Sequence, residues 1–124
     1  MKKVIATENA PKAVGPYSQA IEVNGTLYIS GQIPVNPADG QVQTEITAAA
    51  HQSLKNIGAI LAEAGMTYDN VVKTTVLLAD IADFKAVNEV YAEYFPGDKP
   101  ARACYQAAAL PLGVKVEIEA IAVK

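Results

Sequence analysis

The chain has 124 residues, 51% of them hydrophobic and 19% charged, with a net charge of −3 and a pI of about 5.0. That length suits a single domain spanning 1–124, and the apolar fraction supplies a core, which argues against disorder. One cysteine, Cys104, and one histidine, His51, leave no disulfide and no thiolate or imidazole cage for a metal. The ten Lys and Arg are scattered, with no run beyond Lys2-Lys3, which argues against phosphate-backbone binding and a nucleic-acid role.

The first residues, MKKVIATENAPK, begin with charge as a secretory leader does, but the apolar run is only Val4-Ile5-Ala6. No window approaches a membrane span, so a cytoplasmic protein is expected. A short strand is predicted at Lys3–Thr7. Asn24-Gly25 lies between two apolar runs, and both residues tolerate positive φ, so Gln19–Val23 and Thr26–Ile33 read as a β-hairpin. The stretch PVNPADG, Pro34 to Gly40, is a loop.

A helix follows. Ile46, Ala50, Leu54, Ile57, Leu61 and Ala64 recur at spacings of three and four, with Thr44 as the expected cap and Gly65 as the residue that ends it. Its alanines, with Gly58, suggest close packing on a sheet. Val71–Leu78 is β-branched and reads as a strand. Ile81, Phe84, Val87, Tyr91 and Phe95 mark a second amphipathic helix, with Asp80 or Asp83 as its cap and Pro96-Gly97 as its stop. Arg102–Ala109 is the next predicted strand, Leu110–Gly113 a turn and Val114–Val123 the last strand. The order β-β-β-α-β-α-β-β describes an α+β domain with two helices on one face of a mixed sheet. In the last strand, period two sends Lys115, Glu117 and Glu119 to one face and Val116, Ile118, Ala120 and Ala122 to the other, under the helices. The face without helices must meet water or another subunit.

No P-loop, GxGxxG or triad spacing is present. Arg102 stands in an otherwise apolar segment on the same face as Cys104, where a charge needs a partner. Two readings stay open at this point: a salt bridge to Glu117 or Glu119, or a planar fork for a substrate carboxylate. Glu117 and Glu119 read equally as solvated carboxylates on an exposed face. Cys104 reads as a small buried hydrophobe rather than a nucleophile, because no base is placed to activate it. His51 reads as a surface residue near Lys55, and Tyr17, after Gly15-Pro16, as either packing or a mobile site residue.

The segments ATENAPKAVGPYSQA, SGQIPVNPADG, VVKTTVLLADIADFKAVNEVYAEYF and PARAC, followed by Val116-Glu117-Ile118-Glu119, resemble the RidA/YjgF family in order and spacing across essentially the whole chain. The resemblance implies a chorismate-mutase-like α+β fold that assembles as a homotrimer around a central barrel, with sites in the clefts between subunits and no cofactor or metal. It matches Arg102 to a carboxylate-binding arginine and Glu117 to the acidic residue that handles water or protons. Tyr17, Ser30, Gly31, Asn88 and Cys104 match further cleft-lining positions. The implied activity is hydrolysis of reactive 2-imino or enamine acids to 2-keto acids and ammonia. A non-catalytic module that binds a 2-keto acid would use the same arginine, and RNA cleavage, associated with some members, fits poorly with the acidic balance.

Overall fold

In the computed structural model, which describes residues 1–124, Asn24 and Gly25 both take positive φ, 50° and 80°, as a tight hairpin requires. They join β2 (Ala20–Val23) to β3 (Thr26–Gln32), and β1 (Lys3–Ile5) pairs along the outer edge of β2. The remaining strands are β4 (Val71–Leu78), β5 (Ala101–Gln106) and β6 (Val116–Val123). They form one six-stranded sheet in the order β1-β2-β3-β6-β4-β5. All pairs are antiparallel except β4 with β5, the one parallel pair, which a helical crossover connects. The α+β class, the mixed sheet and the placement of both helices on one face are as the sequence predicts.

The helices are α1 (Ile46–Glu63) and α2 (Phe84–Tyr94). Their core-facing stripes meet one face of the sheet in a single cluster of 24 buried residues, among them Leu54, Ile57, Ile60, Leu61, Val87, Val116 and Ile118. Along β6, Val116, Ile118, Ala120 and Ala122 are buried, while Glu119 and Val123 are exposed on the opposite face and Glu117 and Ile121 half-buried there. The open face also carries Val4, Tyr28 and Tyr105, each about half exposed. No helix is long and apolar enough to cross a membrane.

Several boundaries differ from the sequence prediction. Glu45, not Thr44, caps α1: its carboxylate accepts the N–H groups of Thr47 at 2.8 Å and Ala48 at 3.2 Å. Those two bonds hold it below the usual carboxylate range, as expected for an anion at the positive end of a helix. Gly65 follows the C-cap at φ 74°, as predicted. Asp80 caps not α2 itself but the 3-10 turn Ile81–Asp83 that leads into it, accepting the Ala82 N–H at 2.9 Å. β5 ends at Gln106 rather than Ala109 because its only partner, β4, ends at Leu78. β6 starts at Val116 rather than Val114 because Pro111–Gly113 forms a 3-10 turn in which Leu112 takes a φ of 57°.

Gly58 also serves a different end from the expected one. It lies under Tyr68 rather than against the sheet: a Cβ there would sit 2.7 Å from the ring carbon bearing the hydroxyl. That hydroxyl donates to the Leu54 carbonyl at 2.6 Å, and burial pushes its pKa up to about 12, so it remains a donor. Ser53, by contrast, is fully buried with a hydroxyl that has no hydrogen-bond partner. The two sites predict opposite outcomes. Gly58→Ala, although it raises helix propensity, should lose about 1–3 kcal/mol through overpacking. Ser53→Ala removes an unsatisfied oxygen and should leave stability unchanged or raise it by about 1 kcal/mol. Denaturant unfolding of both variants checks this; a loss of stability in Ser53→Ala shows that the hydroxyl is satisfied after all.

Candidate functional site

Arg102 lies on β5 beside Thr74 of β4, and both face the helices. Its guanidinium donates to Asn88 Oδ1 of α2 at 2.8 Å. It also stacks on two α2 rings, 4.9 Å from the Tyr91 centroid and 5.5 Å from that of Phe84. Phe84, Asn88 and Tyr91 stand at i, i+4 and i+7, one face of the helix, so α2 presents a fixed cradle to the arginine. Tyr91 is itself held by a 2.6 Å hydrogen bond shared with Thr74 Oγ1. The salt-bridge reading of Arg102 is overturned. The ion pairs of the chain are His51–Glu93 at 3.9 Å and Lys124–Glu22 at 3.2 Å, and neither involves Arg102.

Glu117 and Glu119 cannot pair with that arginine within one chain, because they are on the other face of the sheet. The register decides this. Arg102 aligns with Thr74 and Thr74 with Ala120, all toward the helices, whereas Glu117 aligns with Leu77 and Leu77 with Tyr105, all toward the open face. Cys104 is on the arginine's face, half-buried. Burial raises its thiol pKa, only partly offset by the Arg102 charge, so the sulfur stays protonated at neutral pH.

Glu117 sits over Gly31. The β3–β6 register passes from Ile29–Ala120 to Gln32–Ile118, one residue more on β3 than on β6, so Ser30 and Gly31 form a bulge. A Cβ on Gly31 would lie 2.8 Å from the Glu117 carboxyl carbon, so only glycine admits the carboxylate there. Burial, and then the Glu119 charge, raise the Glu117 pKa above the usual carboxylate range. Tyr17 and Gly31 line one cleft of about 360 Å³ together with Val14, Gln32 and Leu112. Ser30 faces a second concavity, of about 440 Å³, that also contains Lys73 and Glu119. Its hydroxyl is spent on the Ser18 carbonyl at 2.6 Å.

The residues singled out in the sequence thus fall into two groups: Asn88, Arg102 and Cys104 on the helix face, and Tyr17, Ser30, Gly31 and Glu117 on or beside the open face. His51 belongs to neither. It is half-buried and bonded to Tyr94 Oη at 2.7 Å in the outer helical layer. No three His, Cys, Asp or Glu side chains come together as metal ligands.

The sequence reading missed Gln19. This buried amide accepts the Thr7 N–H at 2.7 Å and donates to the carbonyls of Thr7, Ala10 and Pro11 at 3.0, 3.3 and 2.8 Å. Through its backbone carbonyl, Gln19 accepts the Ser30 N–H at 2.9 Å. It therefore ties the segment leading to Tyr17 onto the bulge that supports Glu117. Nothing in its spacing marks it, since its partners are backbone atoms of an irregular segment.

Comparison with known proteins assigns the chain. The family model described as "Endoribonuclease L-PSP" matches residues 7–124. The mouse protein named "2-iminobutanoate/2-iminopropanoate deaminase" is 58% identical over 125 aligned residues, covering 100% of this chain and 93% of its own length. A Yersinia pestis protein described as a member of the conserved Rid family superposes with a TM-score of 0.97 at 51% identity, over 100% of both chains. Escherichia coli TdcF, solved with bound serine, superposes with a TM-score of 0.95 at 42% identity over 98% of each chain. The chain belongs to the RidA/YjgF family, whose model carries the Endoribonuclease L-PSP description.

Proposed function

We propose that this chain is a deaminase that hydrolyses reactive 2-imino acids and their enamine tautomers, such as 2-iminopropanoate and 2-iminobutanoate, to 2-keto acids and ammonia. The observation that carries the reading is Arg102, a guanidinium oriented by Asn88, Tyr91 and Phe84 with no carboxylate of the chain against it. A planar fork held in place and left without a counter-ion suits a ligand carboxylate. The mouse relative, named for this activity, supports it.

In this mechanism Arg102 holds the carboxylate and so fixes the adjacent C=N carbon. Water adds to that carbon, giving up a proton as the nitrogen gains one. The C–N bond then breaks, releasing ammonia and leaving the keto acid. Glu117 relays the protons, and its raised pKa brings it closer to neutral pH, where a carboxyl can both accept and return one. No covalent intermediate is needed, which is consistent with a protonated Cys104 thiol.

Arg102 and Glu117 point to opposite faces of their own sheet, so one substrate reaches both only if Glu117 comes from a second copy. We assign the uncovered sheet face, with Tyr28, Tyr105, Ile121 and Val123 on it, to a homotrimer whose clefts join the two groups. Light scattering should then give a mass near three times the 13.0 kDa of the chain; a stable monomer at micromolar concentration would remove the shared site.

A reading as a binding module is favoured by one observation, the serine bound to the E. coli relative. Kinetics separate the two: a module binds keto acid without speeding imine hydrolysis. RNA cleavage, the activity named in the family description, finds no basic stripe on a chain of net charge −3.

With 2-iminopropanoate generated in situ and keto-acid release followed, the protein should accelerate hydrolysis. Arg102→Ala should lose on the order of 2–5 kcal/mol of transition-state stabilisation, and Arg102→Lys should not restore it, lacking the fork. A folded, assembled Arg102→Ala protein with near-normal turnover would falsify the carboxylate role.

Glu117→Gln should lower turnover by about 10²–10⁴-fold while weakening keto-acid binding far less, and Glu119→Gln should do little. As the base, Glu117 must be ionised, so turnover should rise with pH through a value above the ordinary 4.5 and then level off. Glu117→Gln should flatten that limb; if the limb persists, another group handles the proton.

A further inference from the structure

A cleft of about 350 Å³ opens beside Arg102, lined by Asn88, Tyr91, Ala92, Lys99, Pro100 and Arg102. It holds two cations and no acid. Tyr91, the other titratable residue, has its hydroxyl pKa raised by burial and is neutral. Neither Lys99 nor Arg102 takes part in either ion pair of the chain, although its net charge is −3.

Lys99 is exposed but not free to wander. Its ammonium donates to the Phe95 carbonyl at 2.6 Å, at the C-terminal end of α2. That contact fixes the stem and leaves two N–H donors for the cleft. The backbone from Lys99 to Arg102 spans at most about 10 Å. Both side chains line the same cleft.

Building on the deaminase reading, we propose that Lys99 forms a second anion subsite in this cleft, so that the site takes 2-imino acids whose side chain ends in a carboxylate as well as those with short alkyl side chains. The α-carboxylate sits on the Arg102 fork and the distal carboxylate on Lys99. Asn88, whose oxygen accepts from Arg102, lines the same cleft with its amide N–H₂ available. Dehydrogenation of acidic amino acids is the reaction class that supplies such imines. The hydrolysis is the one already described, with water consumed and ammonia released, so no further reactant is needed.

The probes are pyruvate and 2-oxoglutarate, a monoacid and a diacid 2-keto acid, titrated by calorimetry into the assembled protein and its Lys99→Gln and Lys99→Arg variants at low salt. A partly exposed ion pair contributes modestly, so the diacid preference over the monoacid should fall about fivefold in Lys99→Gln. It should be largely retained in Lys99→Arg, which keeps the charge, and should weaken as salt is raised. The same shift should appear in the ratio of kcat/KM for an acidic imine to that for 2-iminopropanoate. If pyruvate binds but the ratio is the same in wild type and Lys99→Gln, the subsite is wrong and the Arg102 fork stands. If pyruvate does not bind at all, the fork fails, and the subsite with it.

Discussion

The separation of Glu117 and Glu119 from Arg102 depends on the two-sidedness of β6. The strand runs through the middle of the sheet, hydrogen-bonded to β3 on one side and β4 on the other. Its alternate residues Val116, Ile118, Ala120 and Ala122 are buried beneath the helices. Val116 and Ile118 each contribute on the order of 1.5–3 kcal/mol and the two alanines less, which locks the phase of the strand. A one-residue slip would carry Glu117 and Glu119 into the core, where unpaired charge is costly. The same burial that stabilises the sheet therefore holds the two carboxylates on the open face.

That constraint divides the chemistry between two surfaces. On the helix face, α2 stacks Phe84 and Tyr91 on Arg102 and gives it the Asn88 oxygen. These are neutral partners: they orient the guanidinium without cancelling its charge. On the open face, the bulge at Ser30-Gly31 removes a side chain where the Glu117 carboxyl must lie. The clasp made by Gln19 joins that bulge to the segment carrying Tyr17. The two groups are built on opposite faces of one sheet. The face of the sheet without helices carries Tyr28 and Tyr105 half exposed.

Electrostatics reinforce the division. The arginine and lysine of the cleft beside α2 have no acid lining it with them, whereas on the other surface Glu119 shares its concavity with Lys2 and Lys73. An anion is therefore drawn to the cleft beside α2 rather than to the mixed charges of the open face.

Much of this was legible from sequence alone. Asn24-Gly25 dictates a hairpin because both residues accept positive φ. The three-four spacing of α1 and the period of two in β6 specify which faces are buried, and the ordered motifs identify the family. What the sequence left open was settled by contacts between distant segments. The partner of Arg102 was undetermined because whether β5 and β6 send given residues to the same face depends on their registers through β4, and a single-residue offset reverses the answer. The purpose of Gly58 and Gly31 was hidden for a similar reason: each glycine is required by a side chain of another element, Tyr68 of the turn after α1 in one case and Glu117 of the neighbouring strand in the other. Local periodicity determined which residues lie inside; only the tertiary register, a property of strand pairs rather than of any one strand, decided which of the chemical groups share a face.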